Sequence, residues 1–489
     1  MDDVLKLALE TVELGKQCIV FVNSKRGAES SGEKISKILK INNDVLDKVS
    51  ESVLKALSSP TKQCKRLASM VKKGAAFHHS GLNSKQRDLI EDNFKLGNIK
   101  VICATPTLAA GVDMPAYRVI IRDVKRYTGF GMSYIPVLEY EQQAGRAGRP
   151  SYDLKGEAIL IAKDAIEREE LWNKFINGSP ESIYSKLAVE PVLRIYVLSL
   201  VSSGFVKTFD ELKDFMKDSF YAFQFGDLNK LFDILKRIVR LLSQWEFLEV
   251  NEDYLVATNL GRRVSELYLD PYTANYLLEN YESEFKEFGL LQFISYTLEM
   301  RPLIRVKKSE EGVMFDKLVN STLLVDEPDS FSEEFDEFFK SVKTGVVLEE
   351  WMNEVADDKL YEKYGVTPGE LNAKLDRADW LLYSLYELLK VKGYRNISDI
   401  LKIQKRLKFG VKEELLSLLR LKGIGRVRAR KLFDNRLKDF GDLKKVDALT
   451  LSQILGPNMA KSVKEQLGIK IEEVKLNKRK GQINLNDFS

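Results

Sequence analysis

Residues 142–149 read Gln-Gln-Ala-Gly-Arg-Ala-Gly-Arg, with two arginines three positions apart. Residues at that spacing share one face of a helix, so Arg146 and Arg149 are predicted to form a cationic pair. The neighbouring glycines allow a partner surface to come close. Such a pair suits stabilisation of the charge that develops on a transferred phosphoryl group. The structural alternative is an exposed helix whose arginines form ion pairs.

A second group of small and hydroxyl residues occupies 104–115, directly after an apolar run that predicts a strand. Loops at the carboxyl edge of a parallel sheet are where such folds bind ligands. The hydroxyls of Thr105 and Thr107, with backbone amides at a helix start, suit nucleic-acid phosphates. Asp113, close to Gly111, can accept a hydrogen bond from a nucleotide or from an arginine.

The elements that must position these loops alternate between strand and helix over residues 1–165. Short apolar runs are typical of buried parallel strands, and charged helical stretches separate them. The predicted fold of this region is therefore a doubly wound parallel sheet. The runs cover residues 18–22, 75–79, 100–104, 118–121 and 157–162.

Beyond residue 165 the sequence predicts mostly helices. Apolar spacing over 227–244, followed by two short β-like runs, indicates a winged-helix domain over 166–260. Residues 261–400 and 401–470 are predicted to form two helical domains, and 471–489 a flexible polar tail.

Composition narrows the class of protein. No apolar run approaches the roughly 20 residues that span a bilayer, and the acidic start does not resemble a secretory signal. Three cysteines without CxxC spacing and two adjacent histidines support neither a disulfide framework nor a structural zinc site, so a cytoplasmic location is expected. Residues 401–489 hold 22 lysines and arginines against 10 aspartates and glutamates. That excess of positive charge predicts that the C-terminal region faces a polyanion. The alternative is an ordinary solvated helical surface.

Together these motifs resemble superfamily 2 helicases. Phe-Val-Asn-Ser at 21–24 looks like motif IV, and His-His-Ser-Gly-Leu at 78–82 like motif IVa. Residues 105–115 look like motif V and 142–149 like motif VI. The sequences of these motifs are similar to those of the archaeal Hjm helicases, which are Ski-two-like repair helicases. The resemblance implies a RecA-like α/β domain followed by winged-helix, helical ratchet and helix–hairpin–helix domains.

The resemblance also implies which residues touch nucleotide and DNA. Gln142, Arg146 and Arg149 would face ATP and Mg²⁺, and Gly111 and Asp113 would couple the nucleotide to the DNA. The residues expected along the DNA strand are Asn23, Ser24, Arg26, His79, Thr105 and Thr107.

An active helicase of this kind also needs a P-loop and a DExH or DEAD motif. Glu10 stands where the first P-loop glycine before Gly15-Lys16 should be, and Asp326-Glu327-Pro328 is not DExH. The first RecA-like domain is therefore expected to come from elsewhere, in cis or in trans. The chain alone is predicted to be inactive.

Three further segments are predicted to contact DNA. Aromatic residues flanking two glycines suggest a strand-separating hairpin over 126–135, with Tyr127, Phe130 or Tyr134 stacking on the last base pair. Trp380 matches the tryptophan of the ratchet helix. Glycines 423 and 425 form a tight turn whose amides can hold a phosphate, with charge from the nearby arginines. Those arginines are Arg426, Arg428 and Arg430.

The tail carries a short pattern of another kind. Gln482, Leu485 and Phe488 fit Q-x-x-L-x-x-F, which looks like a binding box for the PCNA sliding clamp. A chance match in a polar tail is the alternative.

Taken together, the sequence predicts part of an ATP-dependent 3′–5′ DNA helicase that acts on single-stranded, forked or branched DNA in repair and recombination, without a membrane partner. A non-enzymatic DNA-binding module working with a separate ATPase chain is one alternative. An RNA helicase of the same superfamily is another.

Overall fold

The computed structural model describes residues 2–39, 41, 43–57, 60–109, 114–128, 131–148, 153, 155–187, 189–226 and 228–469. The chain divides into two compact units. The first comprises residues 1–187, 218–227 and 356–373, and the second comprises 188–217, 228–355 and 374–489. The domain boundaries expected at residues 165, 260 and 400 remain predictions.

A five-stranded parallel sheet forms the centre of the first unit. All five strands predicted from the apolar runs are present: β1 Cys18–Phe21, β2 Ala75–His78, β3 Val101–Ala104, β4 Arg118–Ile121 and β7 Glu157–Leu160. Their order across the sheet is β2-β3-β1-β4-β7, with β1 in the middle. Every residue of β1, β2, β3 and β4 is buried, which is typical of a parallel sheet covered by helices.

The predicted hairpin is also present. Strand β5, Lys125–Thr128, pairs antiparallel with β6, Gly131–Tyr134, in a register that joins Tyr127 to Met132. The helices of this unit are Asp3–Glu13, Lys25–Ile38, Asp44–Lys55, Lys62–Val71, Ser84–Lys95, Val137–Ala144, Ala165–Leu171, Phe220–Phe225 and Asp357–Tyr364, with a 3-10 turn at Pro106–Leu108 and a π turn at Trp172–Ile176.

The described part of the second unit is helical except for one hairpin, as the sequence predicts. Helix Asn229–Gln244 precedes strands β8, Leu248–Asn251, and β9, Tyr254–Ala257. The other helices are Glu190–Ser202, Phe209–Lys217, Asn259–Glu266, Pro271–Glu279, Glu287–Ser295, Glu311–Val319, Glu333–Met352, Ser398–Phe409, Arg426–Asp434, Phe440–Lys445, Ala448–Leu455 and Pro457–Gln466, with 3-10 turns at Leu298–Met300, Lys308–Glu310, Glu413–Leu415 and Leu418–Arg420.

The longest helix, Pro368–Val391, has its first six residues in the first unit and the remainder in the second. Leucines along its length are buried, including Leu371, Leu381 and Leu388. Residues 411–463 have a small apolar core of their own, centred on Leu415, Leu432 and Leu451. Among the described residues, no helix combines the length and the apolar character needed to cross a membrane.

Candidate functional site

The loops that carry the predicted chemistry leave one edge of the sheet. Strand β1 lies between β3 and β4, and all three run parallel in matched register. The segments after residues 21, 104 and 121 therefore emerge side by side at the carboxyl edge, where sheets of this class bind ligands. This geometry places motifs IV and V next to each other at one edge of the sheet.

Motif VI is attached to the same edge through backbone bonds. The Ala116 N–H donates to the Arg146 carbonyl at 2.9 Å, and the Gly148 N–H donates to the Ala116 carbonyl at 2.7 Å. The Arg146 side chain donates from Nε to the Ala109 carbonyl of motif V at 3.1 Å, and a second guanidinium nitrogen reaches the same oxygen. Since that oxygen carries no net charge, the arginine retains its full positive charge near the sheet edge.

The two glutamines of motif VI have opposite environments. Gln142 is exposed, whereas Gln143 is fully buried. Among the residues that the structure describes, neither amide atom of Gln143 has a hydrogen-bond partner, which is costly for a buried polar group. Gln142 is therefore the one accessible to a ligand. The predicted contacts Arg149, Gly111 and Asp113 lie outside the described residues.

Motif V holds its two threonines close together. Thr105 and Thr107 share a hydrogen bond between their hydroxyls at 2.9 Å. Thr105 is buried and its N–H donates to the His78 carbonyl, while Thr107 is exposed at the 3-10 turn. Only Thr107 thus presents its side chain to solvent.

Motif IV supports the hairpin. The Asn23 side chain donates to the Lys125 carbonyl at 2.7 Å, and its N–H donates to Asp123. Ser24 caps helix Lys25–Ile38 by accepting from the Gly27 N–H, and Arg26 is exposed. The amide of Asn23 therefore holds the base of the hairpin, while Ser24 and Arg26 remain on the surface.

A cleft of about 730 Å³ lies between motif IV and the hairpin. Its lining includes Arg122, Lys125 and Arg126 together with the exposed side chain of Tyr127. All three cations are paired with carboxylates: Arg122 with Asp123, Lys125 with Glu167 and Arg126 with Glu139. The feature of the cleft best suited to a nucleic acid is therefore the exposed aromatic ring, on which a base can stack. This cleft brings the predicted residues Asn23, Ser24 and Tyr127 into one site.

The hairpin has an exposed outer end and an anchored base. Tyr127 and Met132 form a cross-strand pair and are 71% and 66% exposed. Tyr134, which the sequence also offered as a stacking residue, instead donates its hydroxyl to Glu170 at 2.6 Å and packs against Phe175. Its role in the structure is to anchor the hairpin. Phe130 lies outside the described residues, and Met132 is an exposed side chain of the hairpin that the sequence analysis did not single out.

His79 was predicted from motif IVa to lie along the DNA strand, but its ring does not reach the protein surface. The ring is fully buried, stacks on Phe77, and accepts at Nδ1 from the Gly81 N–H at 3.1 Å. Its Nε2 lies 3.3 Å from Glu29. Burial raises the pKa of Glu29, but His79, Gln63 and Arg66 together hold the pKa of that carboxyl below its usual value. Any effect of His79 on DNA is therefore indirect.

The turn after His79 receives the start of the longest helix. The Gly369 N–H donates to the Gly81 carbonyl at 3.1 Å, and a Cβ on Gly369 would lie 2.2 Å from the Ser80 carbonyl oxygen. Glu370 bonds Lys25 at 2.5 Å and also accepts from Thr367. Only glycine allows this approach, so the helix start is fixed against motif IVa.

Farther along that helix, Trp380 is half-buried. Its indole N–H donates to the Leu267 carbonyl at 2.9 Å, which leaves only part of the ring surface for a base. The nearby cations are engaged: Lys374 is buried and donates to the carbonyls of Met300 and Pro302, and Arg377 donates to the Arg301 carbonyl.

The glycine turn at 423–425 is present, and Gly423 has a φ of +83°. Gly425 precedes helix Arg426–Asp434, and the space beside it is open. The Arg426 guanidinium lies 4.6 Å from the Trp351 ring centroid and donates to the Val355 carbonyl at 3.0 Å.

The other two arginines of this turn differ in exposure. Arg430 binds Glu354 with two nitrogens, at 2.8 and 2.6 Å, and also bonds Glu414. Arg428 donates to the Gly423 carbonyl and is exposed. Of the three, Arg428 is thus the one most open to a phosphate.

Within the part of the chain that the structure describes, no group of three or more His, Cys, Asp or Glu side chains is placed to hold a metal ion. The clamp-box residues Gln482, Leu485 and Phe488 lie outside the described residues.

One structural residue of the site carried no sequence signal. Glu181 accepts from the N–H groups of Val137 and Leu138 at 2.7 and 3.2 Å, which caps the helix that leads into motif VI. These bonds, with the Val137 N–H first, lower the pKa of Glu181. Because 44 residues separate Glu181 from Val137, no local pattern could reveal the cap.

Comparison with known proteins agrees with this arrangement. Residues 1–151 match the helicase conserved C-terminal domain, and residues 288–410 match domain 4 of archaeal helicases. Relatives named ATP-dependent DNA helicase Hel308 from Methanocella arvoryzae, Methanococcus vannielii and Pyrococcus horikoshii are 38%, 36% and 36% identical to this chain.

The alignments cover 96%, 97% and 98% of the chain and 65%, 69% and 67% of the relatives, in the same order. The chain thus spans about two thirds of the length of these relatives. Identity at this level over nearly the whole chain, together with both matched domains, shows that the chain belongs to the Hel308 family of archaeal helicases.

Proposed function

We propose that this chain supplies the arginine-bearing half of an ATP-dependent DNA helicase of the Hjm, Ski-two-like kind. The observation that carries the proposal is the joining of motifs V and VI, where Arg146 is fixed on the Ala109 carbonyl. A guanidinium held by a neutral oxygen keeps its charge for a phosphate. Exposed Gln142 stands on the helix just before it.

The other half of the nucleotide site is proposed to come from a P-loop domain, in cis or in trans. The sequence has no GxxxxGK[ST]. ATP would thus be bound mainly by the P-loop domain, which would also provide the acid that holds Mg²⁺. This chain's residues would contact the γ-phosphate from the opposite side, with Arg146 and Arg149 as arginine fingers.

The DNA path is proposed to follow the cleft beside the hairpin. Ser24, Arg26 and Thr107 are exposed and suited to backbone phosphates. The exposed pair Tyr127 and Met132 would meet the last base pair of the duplex. Movement with 3′–5′ polarity along one strand would then drive the duplex against the hairpin, at forks and branched DNA in repair and recombination.

The test is strand displacement by the chain mixed with a separately expressed P-loop domain that carries GxxxxGK[ST] and DExH. We expect ATP-dependent unwinding of a fork with a 3′ tail and little unwinding of a 5′-tailed fork or an RNA duplex. Unwinding of RNA in preference to DNA would favour the RNA helicase alternative. DNA binding with no unwinding in any mixture would favour the non-enzymatic module.

A sliding clamp is a further proposed partner, through Leu485 and Phe488, whose spacing of three residues would place both on one face if the segment became helical on binding. Calorimetry with PCNA should show binding by the intact chain and none by the Leu485→Ala/Phe488→Ala variant. Equal heats from both proteins would rule this partner out.

A further inference from the structure

Helix Asn259–Glu266 ends with a tyrosine at a position that favours glycine. The Tyr268 N–H donates to the Ser265 carbonyl at 3.0 Å, and the Leu269 N–H donates to the Val264 carbonyl at 3.3 Å. These two bonds form a Schellman motif, in which the residue after the last helical turn takes a left-handed conformation. Tyr268 accordingly has a φ of +56°. A bulky side chain is strained in that conformation, whereas glycine is not.

Two other helices of the chain have glycine at the corresponding position. Gly365 follows helix Asp357–Tyr364 with a φ of +72°, and Gly410 follows helix Ser398–Phe409 with a φ of +63°. Of the six non-glycine residues with a positive φ in the described part of the chain, Tyr268 is the only aromatic one. Folding alone does not account for a tyrosine here, because glycine would satisfy the same hydrogen bonds with less strain. Strain of this kind points to a functional role.

The Tyr268 ring contributes little to the fold through contacts of its own. It is 86% exposed, whereas its neighbours Leu267 and Leu269 are buried. Within the described ranges its side chain forms no hydrogen bond, ion pair or ring contact. The segment thus presents a single aromatic ring to solvent between two buried leucines.

The backbone on both sides of Tyr268 is held in place. On one side, the Leu267 carbonyl accepts from the indole N–H of Trp380 at 2.9 Å. On the other side, Asp270 is bound by two nitrogens of Arg194, at 2.5 and 2.7 Å, and both of these side chains are largely buried. A ring on a segment fixed in this way is preorganised, so little conformational freedom is lost when a ligand binds it.

We propose that Tyr268 stacks on a base of the same single strand that Trp380 contacts. This inference rests on the proposed function, which requires the chain to hold one DNA strand, and on the predicted contact of Trp380 with that strand. The hydrogen bond to the Leu267 carbonyl places the two aromatic residues beside each other. An exposed uncharged ring is a surface on which any unpaired base can stack. The strained tyrosine is then retained because glycine, although better for the backbone, offers no ring.

The experiment measures the affinity of the full chain for single-stranded DNA by fluorescence anisotropy, together with thermal unfolding. Tyr268→Gly should melt no lower than the parent chain, because glycine relieves the left-handed strain. It should nevertheless bind the strand about tenfold more weakly, because a stacked base is lost. Tyr268→Phe should bind like the parent, since it keeps the ring. Phe331→Ala is the matched control: it removes another exposed aromatic ring of the second unit and should leave affinity unchanged.

A strand with one abasic site, moved a position at a time, separates base stacking from phosphate contact. At one position the parent chain should lose affinity, and Tyr268→Gly should lose none there. Equal losses for both proteins at every position, or a lower melting temperature for Tyr268→Gly, would assign Tyr268 a structural role and overturn the proposal.

The same titrations separate this proposal from the proposed function. If Tyr268→Gly binds as tightly as Phe331→Ala, the assignment of Tyr268 is overturned, and weak binding by Trp380→Ala in the same series would leave the helicase proposal standing. If the parent chain does not bind single-stranded DNA, both proposals fail.

Discussion

Two arginine-rich motifs of this chain have similar sequences and different electrostatic environments. In motif VI, Arg146 bonds a backbone carbonyl and, among the described residues, contacts no carboxylate. In the turn at 423–425, Arg430 is paired with Glu354 and Glu414. A carboxylate cancels the charge that a phosphate would otherwise attract, whereas a carbonyl only orients it. The group that an arginine is bonded to, more than the motif that contains it, therefore decides whether its charge is available to a phosphate.

The largest expected difference between the two motifs is in ATP turnover. With the P-loop domain present, Arg146→Ala should lower turnover about 10³-fold, because an arginine finger stabilises the transition state. DNA affinity should change little. Arg430→Ala, the matched control, should leave turnover within a fewfold of the parent, measured as phosphate release with saturating DNA. Near-normal turnover by Arg146→Ala would show that motif VI has a structural role and not a catalytic one.

Substitutions in the hairpin should slow DNA unwinding without slowing ATP hydrolysis. Tyr127→Ala and Met132→Ala each remove an exposed contact worth about 1–3 kcal/mol of stacking or less. We expect roughly tenfold slower strand displacement with DNA-stimulated ATPase largely intact. Tyr134→Phe is a useful contrast, since it loses only the bond to Glu170 at the hairpin base. A parallel loss of ATPase and unwinding would mean that the hairpin is part of the motor fold.

The two substitutions should rank in the opposite order for folding stability: Arg430→Ala should lower the free energy of unfolding more than Arg146→Ala does. Arg430→Ala strands Glu354, of which only 14% of the side chain is exposed, and should cost about 1–3 kcal/mol. Arg146→Ala removes bonds to one backbone oxygen and leaves no charge unpaired, so it should cost less than Arg430→Ala. Thermal unfolding of both variants at neutral pH provides the measurement.

That stability difference should depend on pH in a defined direction. Burial raises the pKa of Glu354, but the bonds from Arg430 and from the Lys412 N–H outweigh burial and hold that pKa below its usual value. The pair therefore contributes its full stability above the unfolded pKa of about 4.3, and the contribution is lost as the pH falls through the lower folded value. The gap between Arg430→Ala and the parent chain should shrink in acid. A gap that widens below pH 4 would contradict the assigned pairing.

The smallest expected effect concerns DNA affinity. Arg428 is the exposed arginine of the 423–425 turn, so Arg428→Ala should lower the slope of log affinity against log salt by about 1. Arg426→Ala should alter the slope less, because Arg426 already lies on Trp351. Filter binding to forked DNA at several salt concentrations can resolve this. Identical slopes for Arg428→Ala and the parent would place the phosphate contact elsewhere.

The strands of the sheet were predictable because buried parallel strands leave continuous apolar runs, as at 18–22 and 118–121, whereas their order in the sheet was not predicted. The hairpin was predictable from two glycines flanked by aromatic residues. What the sequence could not show were contacts between distant segments. His79 is buried against Glu29, Tyr134 bonds Glu170, and Glu181 caps the motif VI helix. A side chain's partner depends on tertiary packing, so motif membership alone assigned His79 to the surface when it lies in the core.

The most direct test of the central claim is ATP hydrolysis by the purified chain with DNA, alone and after addition of the P-loop domain. We expect no turnover above background for the chain alone and DNA-stimulated turnover for the mixture, since the phosphate-binding lysine and the Mg²⁺-holding acid come from the added domain. DNA-stimulated turnover by the chain alone, free of contaminating ATPase, would contradict it.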